Sequence, residues 1–566
     1  MFTNMQKIME KSVLGIDMQA YRLPETKRSK ELVPVVYPEV ARSKGTVDFD
    51  IYDYEMLFND EATKKIIREG NTVGCFYIES PGMRSLLKKL TCDTFEMLTA
   101  ASSVIRPGVA ESGMMQEFIL RHKNPSLRKY LIPELKTYLG ETYGVMIYQE
   151  DVIKVAHHIA GLTLEEADLL RRAMSGKMRS HNAMGQIKER FFSSMHEKGY
   201  KEYVSGELWR QIESFAGYAF CKAHSASFAL LSFQVAYLKV HYPAEFLASV
   251  LSNMGGYYSA AVYIQEAKRL NIKVLLPCVN KSNYEYLGTD NVIIIGFMAI
   301  KGLRKHTADK IINERNNGGA FVSLMDFITR VKPGYEDACL LIKCGTMACF
   351  GKTRPTLMRL LDVYVKHRRV LDNDYINLFI NESFVLEKEV ETDREYSIEE
   401  ICTIEYELFG YMVTRHPLEF FSNVINRTDI VKADNMKNFN GKKIKMIGWY
   451  MTSKRIKTKK SQIMKFLSLE DLTGTFEAVI FPKVYEQYAE LTLSMGPYLI
   501  EGIVDVEGGN NIVVNKLAIL TAKEVKGVTQ KDSAENKYFG DVEHVDESEF
   551  EIVSFLDQEK LKKAYV

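Results

Sequence analysis

Tryptophan is scarce in this chain, with two in 566 residues. No two cysteines stand as Cys-x-x-Cys. No apolar run reaches the roughly 20 residues that span a bilayer. The net charge is only +1. Each shortage excludes something. The eight cysteines, at 75, 92, 221, 278, 339, 344, 349 and 402, are irregularly spaced along a long chain, which does not suit a disulfide framework. Reduced thiols in a cytoplasm are therefore expected, with no membrane partner. Cys339, Cys344 and Cys349 recur every five residues, but that step turns a helix by about 500°, so the three do not share a face. The opening stretch MFTNMQKIMEKSVLGIDMQ has neither the continuous apolar core nor the small-residue cleavage site of a secretion signal.

What is present is ordinary in bulk, at 46% hydrophobic and 26% charged. The length suggests roughly three to five domains. Residues 71–275 are dominated by apolar spacing of helical period, punctuated at ESPGM, IRPG and HYP. A short strand-like run, NVIIIGFMAI, begins at Asn291 and is followed by a helical pair with Gly-rich ends. From Gly441 the pattern shortens to alternating segments: KIKMIGWYMT, MKFLSLED, TFEAVIF, PYLIEGIVDVE and NIVVNKLAIL. Five such strands with LTG and EGGN turns predict a small β-barrel.

The near-zero net charge is a cancellation. Gly441 to Lys465 holds nine Lys or Arg and no acid, whereas Asp541 to Glu559 holds eight acids and no base. The basic block falls on the first two predicted strands and their loop, SKRIKTKKSQ. Lys454, Arg455, Lys457, Lys459 and Lys460 thus form a candidate face for single-stranded nucleic acid, with Trp449, Tyr450 and Phe466 as stacking platforms. The competing reading is a solvated lysine-rich hairpin with Trp449 in the barrel core.

Two further stretches bear on chemistry. AFCKAHSASFALL places Cys221, Lys222 and His224 ahead of a long apolar helix. A zinc site would need more ligands, and no matching pair stands nearby. A thiol nucleophile would need an orienting third group, which the sequence does not identify. EEADLLRRAMSGKMRS gathers Arg171, Arg172, Lys177 and Arg179. Guanidinium forks match phosphate oxygens, but surface pairing with Glu165, Glu166 and Asp168 at helical spacing is the simpler account from these residues alone.

Several long blocks, in order, resemble the alpha subunit of bacterial DNA polymerase III, a C-family polymerase: GCFYIESPGMRSLLKKL, IRPGVAESGM, ETYGVMIYQEDVIKVAHHIAGLTLEEADLLRRAM, FAGYAFCKAHSASFALLSFQVAYLKVHYPAEF and FGYMVTRHPLEFF. The GCFYIESP wording resembles the error-prone-type branch. The resemblance implies an α+β multidomain chain with largely helical fingers and a helix-hairpin-helix domain, followed by a small OB-type β-barrel. The expected divisions are a connector or palm remnant (1–70), fingers (71–275), a hairpin and clamp-binding-type domain (276–425), the barrel (426–525) and an acidic tail (526–566).

The resemblance also implies roles. Lys222, His224 and Ser225 would lie near template or incoming nucleotide. Arg171 and Arg172, with Lys177, would face the triphosphate, and Arg106 and Arg84 would stand near substrate. Lys301, Gly302 and Arg304 occupy the DNA-binding hairpin, where Arg304 replaces a second glycine. Leu378 and Phe379 in YINLF match the sliding-clamp peptide in part, with Tyr375 where glutamine is expected. The assembled enzyme would use Mg2+ held by palm carboxylates. The upstream Asp-x-Asp pair is not found here. VDFDIYDYE, with Asp48, Asp50 and Asp53, falls where the family has a connector, and Asp17 is a faint echo of a third carboxylate. The expectation is a polymerase part that binds deoxynucleoside triphosphates, primed template and single-stranded DNA, and that needs a missing N-terminal half for catalysis. A non-catalytic DNA- or clamp-binding module is the alternative.

Overall fold

A computed structural model describes residues 49–106, 109, 112–174, 181–213, 221–371, 394–458, 460–506, 509 and 511–520. Asp17, Asp48, Lys177, Leu378, Phe379, Lys459 and the acidic tail lie outside the described residues. The described chain forms two compact units, one from 50–240 together with the segment from 421 onward, the other chiefly from 241–420. No helix among the described residues is long and apolar enough to cross a membrane.

The first unit begins with helices α1 (Tyr54–Asn59), α2 (Glu61–Arg68), α3 (Pro81–Leu90), α4 (Phe95–Val104), α5 (Met114–Lys123) and α6 (Leu135–Leu139). It continues with α7 (Gln149–Lys154), a π-helical turn (Val155–Ile159), α8 (Leu164–Met174), α9 (His181–Glu197), α10 (Glu202–Glu213) and α11 (Lys222–His241). Local chemistry sets the starts of these helices. Asp53, Asp60, Ser80 and Thr94 each accept a backbone N–H in the first turn of the helix they precede, which satisfies an otherwise orphan donor. Helix α11 is apolar around much of its circumference, and 232–239 are all buried, as expected of a central helix. Lys239 is tolerated there because its ammonium donates to the carbonyls of Asn71 at 2.9 Å and Val73 at 2.8 Å.

The second unit carries α12 (Pro243–Ser252), α13 (Ala260–Arg269), β1 (Lys273–Leu275), β2 (Leu287–Thr289), β3 (Val292–Ile294), α14 (Lys305–Gly318), α15 (Leu324–Val331), α16 (Tyr335–Lys343), α17 (Arg354–Leu371) and α18 (Ile398–Phe409). The three strands form one sheet in the order β1-β3-β2, with β1 parallel and β2 antiparallel to β3. Gly288 on β2 lies so close to α12 that a Cβ there would sit 2.2 Å from the Ala244 carbonyl oxygen. Only β3 among these strands stands out in the sequence pattern.

The chain returns to the first unit through α19 (Ser422–Ile425) and the barrel strands β4 (Lys443–Lys457), β5 (Ile463–Glu470), β6 (Thr475–Ile480), β7 (Tyr498–Asp505) and β8 (Asn511–Ile519), with α20 (Pro482–Tyr488) between β6 and β7. The strands close in the order β4-β5-β6-β8-β7, all antiparallel except the parallel β6–β8 pair. This is the five-stranded OB-type arrangement. Alternating residues fill it, among them Met446, Leu467, Leu469, Phe476, Tyr498, Ile500 and Val514. The fold class is thus the expected one: helical parts followed by an OB-type barrel.

The barrel packs on α3 through charge. The Arg84 guanidinium donates to the Gly70 carbonyl at 2.7 Å and to the Thr475 hydroxyl on β6 at 2.9 Å. Burial pulls the Lys88 and Lys89 ammoniums of α3 down to about 8 and about 7, and pushes the Glu477 carboxyl of β6, which they face, up to about 7.

Candidate functional site

The first turn of α11 collects much of what the sequence singled out. The Cys221 carbonyl accepts the Ser225 N–H, so Cys221 is the residue from which the helix departs. Its Sγ lies 2.5 Å from Nδ1 of the exposed His224. The Lys222 backbone N–H donates to both carboxylate oxygens of Glu150 on α7, at 3.1 and 2.9 Å. The Lys222 ammonium donates to Glu141 at 2.8 and 2.9 Å and stands 5.4 Å from the centre of the Tyr148 ring. A helix N-terminus carries unsatisfied N–H groups and partial positive charge, and here a carboxylate occupies it.

Ser225 is fully buried, and its hydroxyl meets that of Ser103 on α4 at 2.6 Å. That contact joins the end of α4 to the first turn of α11. Just beyond Ser103, Arg106 donates to the Tyr77 hydroxyl at 2.5 Å and lies 5.4 Å from the centre of its ring. Tyr77 has a left-handed φ of 70°, which is uncommon for a bulky residue. It is held by its hydroxyl bond to the Ser102 carbonyl and by ring contact with Phe228 of α11, centroids 4.9 Å apart. Burial pushes its hydroxyl above the usual range, partly offset by the Arg106 charge. Lys222, His224, Ser225 and Arg106 are thereby brought to one end of α11.

The other nucleotide candidates stand differently. Arg171 and Arg172 lie on α8, which packs against α7. Each donates to Asp168 at 2.7 Å, and their hydrogen bonds and charge, Arg171's first, hold that carboxyl below its usual range. Arg84 is engaged at the barrel contact described above. Asp151, beside Glu150, is 1% exposed and accepts the Ile147 and Tyr148 N–H groups at 3.0 Å each. Burial pushes it up to about 6.

In the other unit, Lys301, Gly302, Arg304 and Lys305 form an exposed turn leading into α14. Gly302 has φ +86°, a left-handed conformation that favours glycine. The Arg304 guanidinium donates to the buried Asp337 carboxylate at 3.0 Å. The Lys305 ammonium stands 5.0 Å from the centre of the Tyr284 ring. On the barrel, Arg455, Lys457 and Lys460 are exposed and Lys454 is half-buried. Trp449 is half-buried and outside the core cluster, whereas Tyr450 packs against it, and Phe466 packs on a small group formed by Ile456, Met464 and Val479.

The residues that sequence reasoning missed are Glu141, Glu150, Tyr77 and Lys305. Glu150 and Lys222 are 72 positions apart, and no spacing rule links them. Lys305 was legible, being the next residue in the hairpin run GLRKH. The acidic candidates in the described part do not fit a divalent ion. Asp50 accepts the Tyr52 N–H at 2.8 Å and Asp53 accepts the Met56 N–H at 3.0 Å, each serving as a local cap. Among the described residues, no three His, Cys, Asp or Glu side chains gather as metal ligands would.

Comparison with known proteins matches residues 38–199 to the bacterial DNA polymerase III alpha subunit finger domain and residues 271–357 to the helix-hairpin-helix motif. The DNA polymerase III subunit alpha of Staphylococcus aureus strain COL is 31% identical over 506 residues, covering 88% of this chain and 46% of that protein. Its counterpart in Staphylococcus epidermidis strain ATCC 35984 is 30% identical over 495 residues, covering 87% and 45%. The chain spans about half the length of the curated relatives it matches.

Proposed function

From a chain homologous to part of the bacterial DNA polymerase III alpha subunit, we propose a polymerase component that supplies nucleotide- and DNA-binding surfaces for template-directed DNA synthesis. The observation that carries the proposal is the first turn of α11. It offers helix N–H groups, the Lys222 ammonium and the neighbouring Arg106 at one place, a combination suited to phosphate oxygens. Glu150 and Glu141 hold the Lys222 N–H and ammonium, and Tyr77 holds Arg106, when no anion is bound. A triphosphate would displace the two carboxylates and take over their hydrogen bonds. Arg171 and Arg172, on the helix next to Glu150, would neutralise the outer phosphates after release from Asp168.

The basic turn Lys301–Lys305 and the barrel residues Lys454, Arg455, Lys457, Lys459 and Lys460 would hold duplex and single-stranded DNA by phosphate contact. Leu378 and Phe379 remain the candidates for a sliding-clamp contact. The described residues hold no carboxylate set that fits Mg2+, so palm carboxylates for catalysis would come from outside them. That mismatch favours a second reading, a DNA- or clamp-binding module without catalysis.

Primer extension separates the two. The purified chain, alone and mixed with a separately purified polymerase III palm, is given primed template, magnesium and deoxynucleotides. Extension only in the mixture, lost with Arg171→Ala plus Arg172→Ala while primed DNA still binds, is the expected result. Primed-DNA binding with no nucleotide dependence in any mixture would support the second reading. Extension that survives the double substitution would remove the arginines from the triphosphate.

A further inference from the structure

Two cysteines far apart in sequence meet in the unit that carries the basic hairpin turn. Cys278 follows β1 and is fully buried, while Cys349 sits in the 3-10 turn Ala348–Phe350 and is partly accessible. Their side chains are hydrogen-bonded to each other. The two segments are sewn together by their surroundings. The Val279 N–H donates to the Thr346 carbonyl at 2.9 Å. The Asn280 side-chain amide donates to the Phe321 carbonyl at 2.8 Å and to Cys349 Sγ at 3.6 Å. Ser282 fixes the loop from within, accepting the Cys278 N–H at 2.9 Å and donating to the Ile295 carbonyl at 2.8 Å.

Two cations stand near enough to this sulfur pair to feel its charge. The Lys281 ammonium lies within the field of both thiols, and the Arg315 guanidinium within that of Cys278. Arg315 comes from α14 and also donates to the Val279 and Ser282 carbonyls at 3.2 and 2.9 Å. Cations beside a thiol favour its thiolate form and oppose the binding of a metal cation between the sulfurs. No third metal-ligating side chain joins the pair among the described residues. Core filling alone would need neither a pair of thiols nor cations in their field.

We propose that Cys278 and Cys349 are an oxidisable dithiol, a modification site that a low-molecular-weight disulfide converts to an internal disulfide bond. The accessible Cys349 loses its proton, and its thiolate attacks one sulfur of the small disulfide, expelling one small thiolate. Cys278 then loses its proton and attacks Cys349 Sγ in the mixed disulfide, expelling the second. One protein S–S bond forms, the small S–S bond is lost, and two small thiols carry away the protons and both electrons. The contact with Cys278 and burial push the Cys349 thiol well above its usual range, so the exchange is slow near neutrality and quickens as pH rises. The new bond would close the segment 278–349, which contains the whole basic turn and α14.

The test uses the full chain incubated with oxidised glutathione at neutral and mildly alkaline pH. Free thiols are trapped by alkylation and the protein is digested without reductant for mass spectrometry. A peptide pair joined through Cys278 and Cys349 is expected, forming faster at the higher pH and lost on reduction. Hydrogen exchange should slow at 278–283 and 346–351 in the oxidised chain. Cys339→Ser should keep the link and Cys349→Ser should abolish it. A stable glutathione adduct on Cys349 without the link would overturn the proposal. So would linkage of either cysteine to a different one, or two fully alkylatable thiols after exhaustive oxidation. The unsubstituted chain decides each of these, whatever the variants do.

Discussion

Lys89 gives the sharpest quantitative test of the barrel contact. It is 4% exposed on α3, and burial pulls its ammonium from 10.5 to about 7 against the opposing pull of Asp505 and Glu477. A lysine depressed on folding contributes stability that is present above its unfolded pKa and lost as pH falls through the folded one. Glu477, raised to about 7, contributes stability that is present below its unfolded value and lost as pH rises through about 7. The two effects meet, so this unit should be least stable near neutrality and gain stability as pH rises toward 10. Each pH unit inside the lysine window is worth about 1.4 kcal/mol. From pH 7 to pH 9, Lys89 alone should therefore add roughly 2–3 kcal/mol. Both tryptophans, Trp209 and Trp449, lie in this unit, so their fluorescence during urea unfolding reports on it and not on the other. Lys89→Met keeps the apolar stem and removes the charge. Its stability should rise less steeply over that range, leaving the smaller contribution of Lys88. A Lys89→Met profile parallel to that of the parent chain would refute the reasoning.

Three other outcomes follow from described contacts. Ser225→Ala should cost about 1–2 kcal/mol, because it strands the buried Ser103 hydroxyl; urea unfolding should show part of the loss restored by adding Ser103→Ala, and no recovery would mean the pair is not coupled. Glu150→Gln should tighten deoxynucleoside triphosphate binding several-fold in a direct titration, since a neutral amide competes less well for the start of α11, and weaker binding would place the nucleotide elsewhere. Replacing Lys457, Lys459 and Lys460 by alanine should weaken single-strand binding and lower the slope of log affinity against log salt by up to about two, whereas an unchanged slope would return the loop to a solvated hairpin.

The barrel was legible because each strand alternates on a period of two and ends at a turn signal, which is local information. The helical half was legible for the same reason at period 3.6. Strands β1 and β2 were not, since three residues carry no period. The candidate site was legible in its basic members, which sit in short conspicuous runs, and illegible in its acidic ones. Glu141 and Glu150 acquire meaning only when folding brings them 72 or more positions across to Lys222. The contact between Cys221 and His224 is local, yet the sequence could not say which way the two side chains turn. Cys278 and Cys349 show the opposite limit. The five-residue rhythm of three cysteines drew attention to the wrong neighbours, and Cys349 instead meets a partner 71 positions upstream.

The contact between Arg84 and Thr475 joins residues 391 positions apart, with the 241–420 segment of the other unit inserted between them. This fixes an order of events on the ribosome. Helix α3 emerges early, carrying Arg84, Lys88 and Lys89, but the strand that covers them is made only after the inserted unit. At a synthesis rate of about 5–20 residues per second, that face waits on the order of 20–80 s for its cover. The first unit therefore cannot be completed in the order in which it is translated: its last strands reach it only after a segment that has already had time to fold.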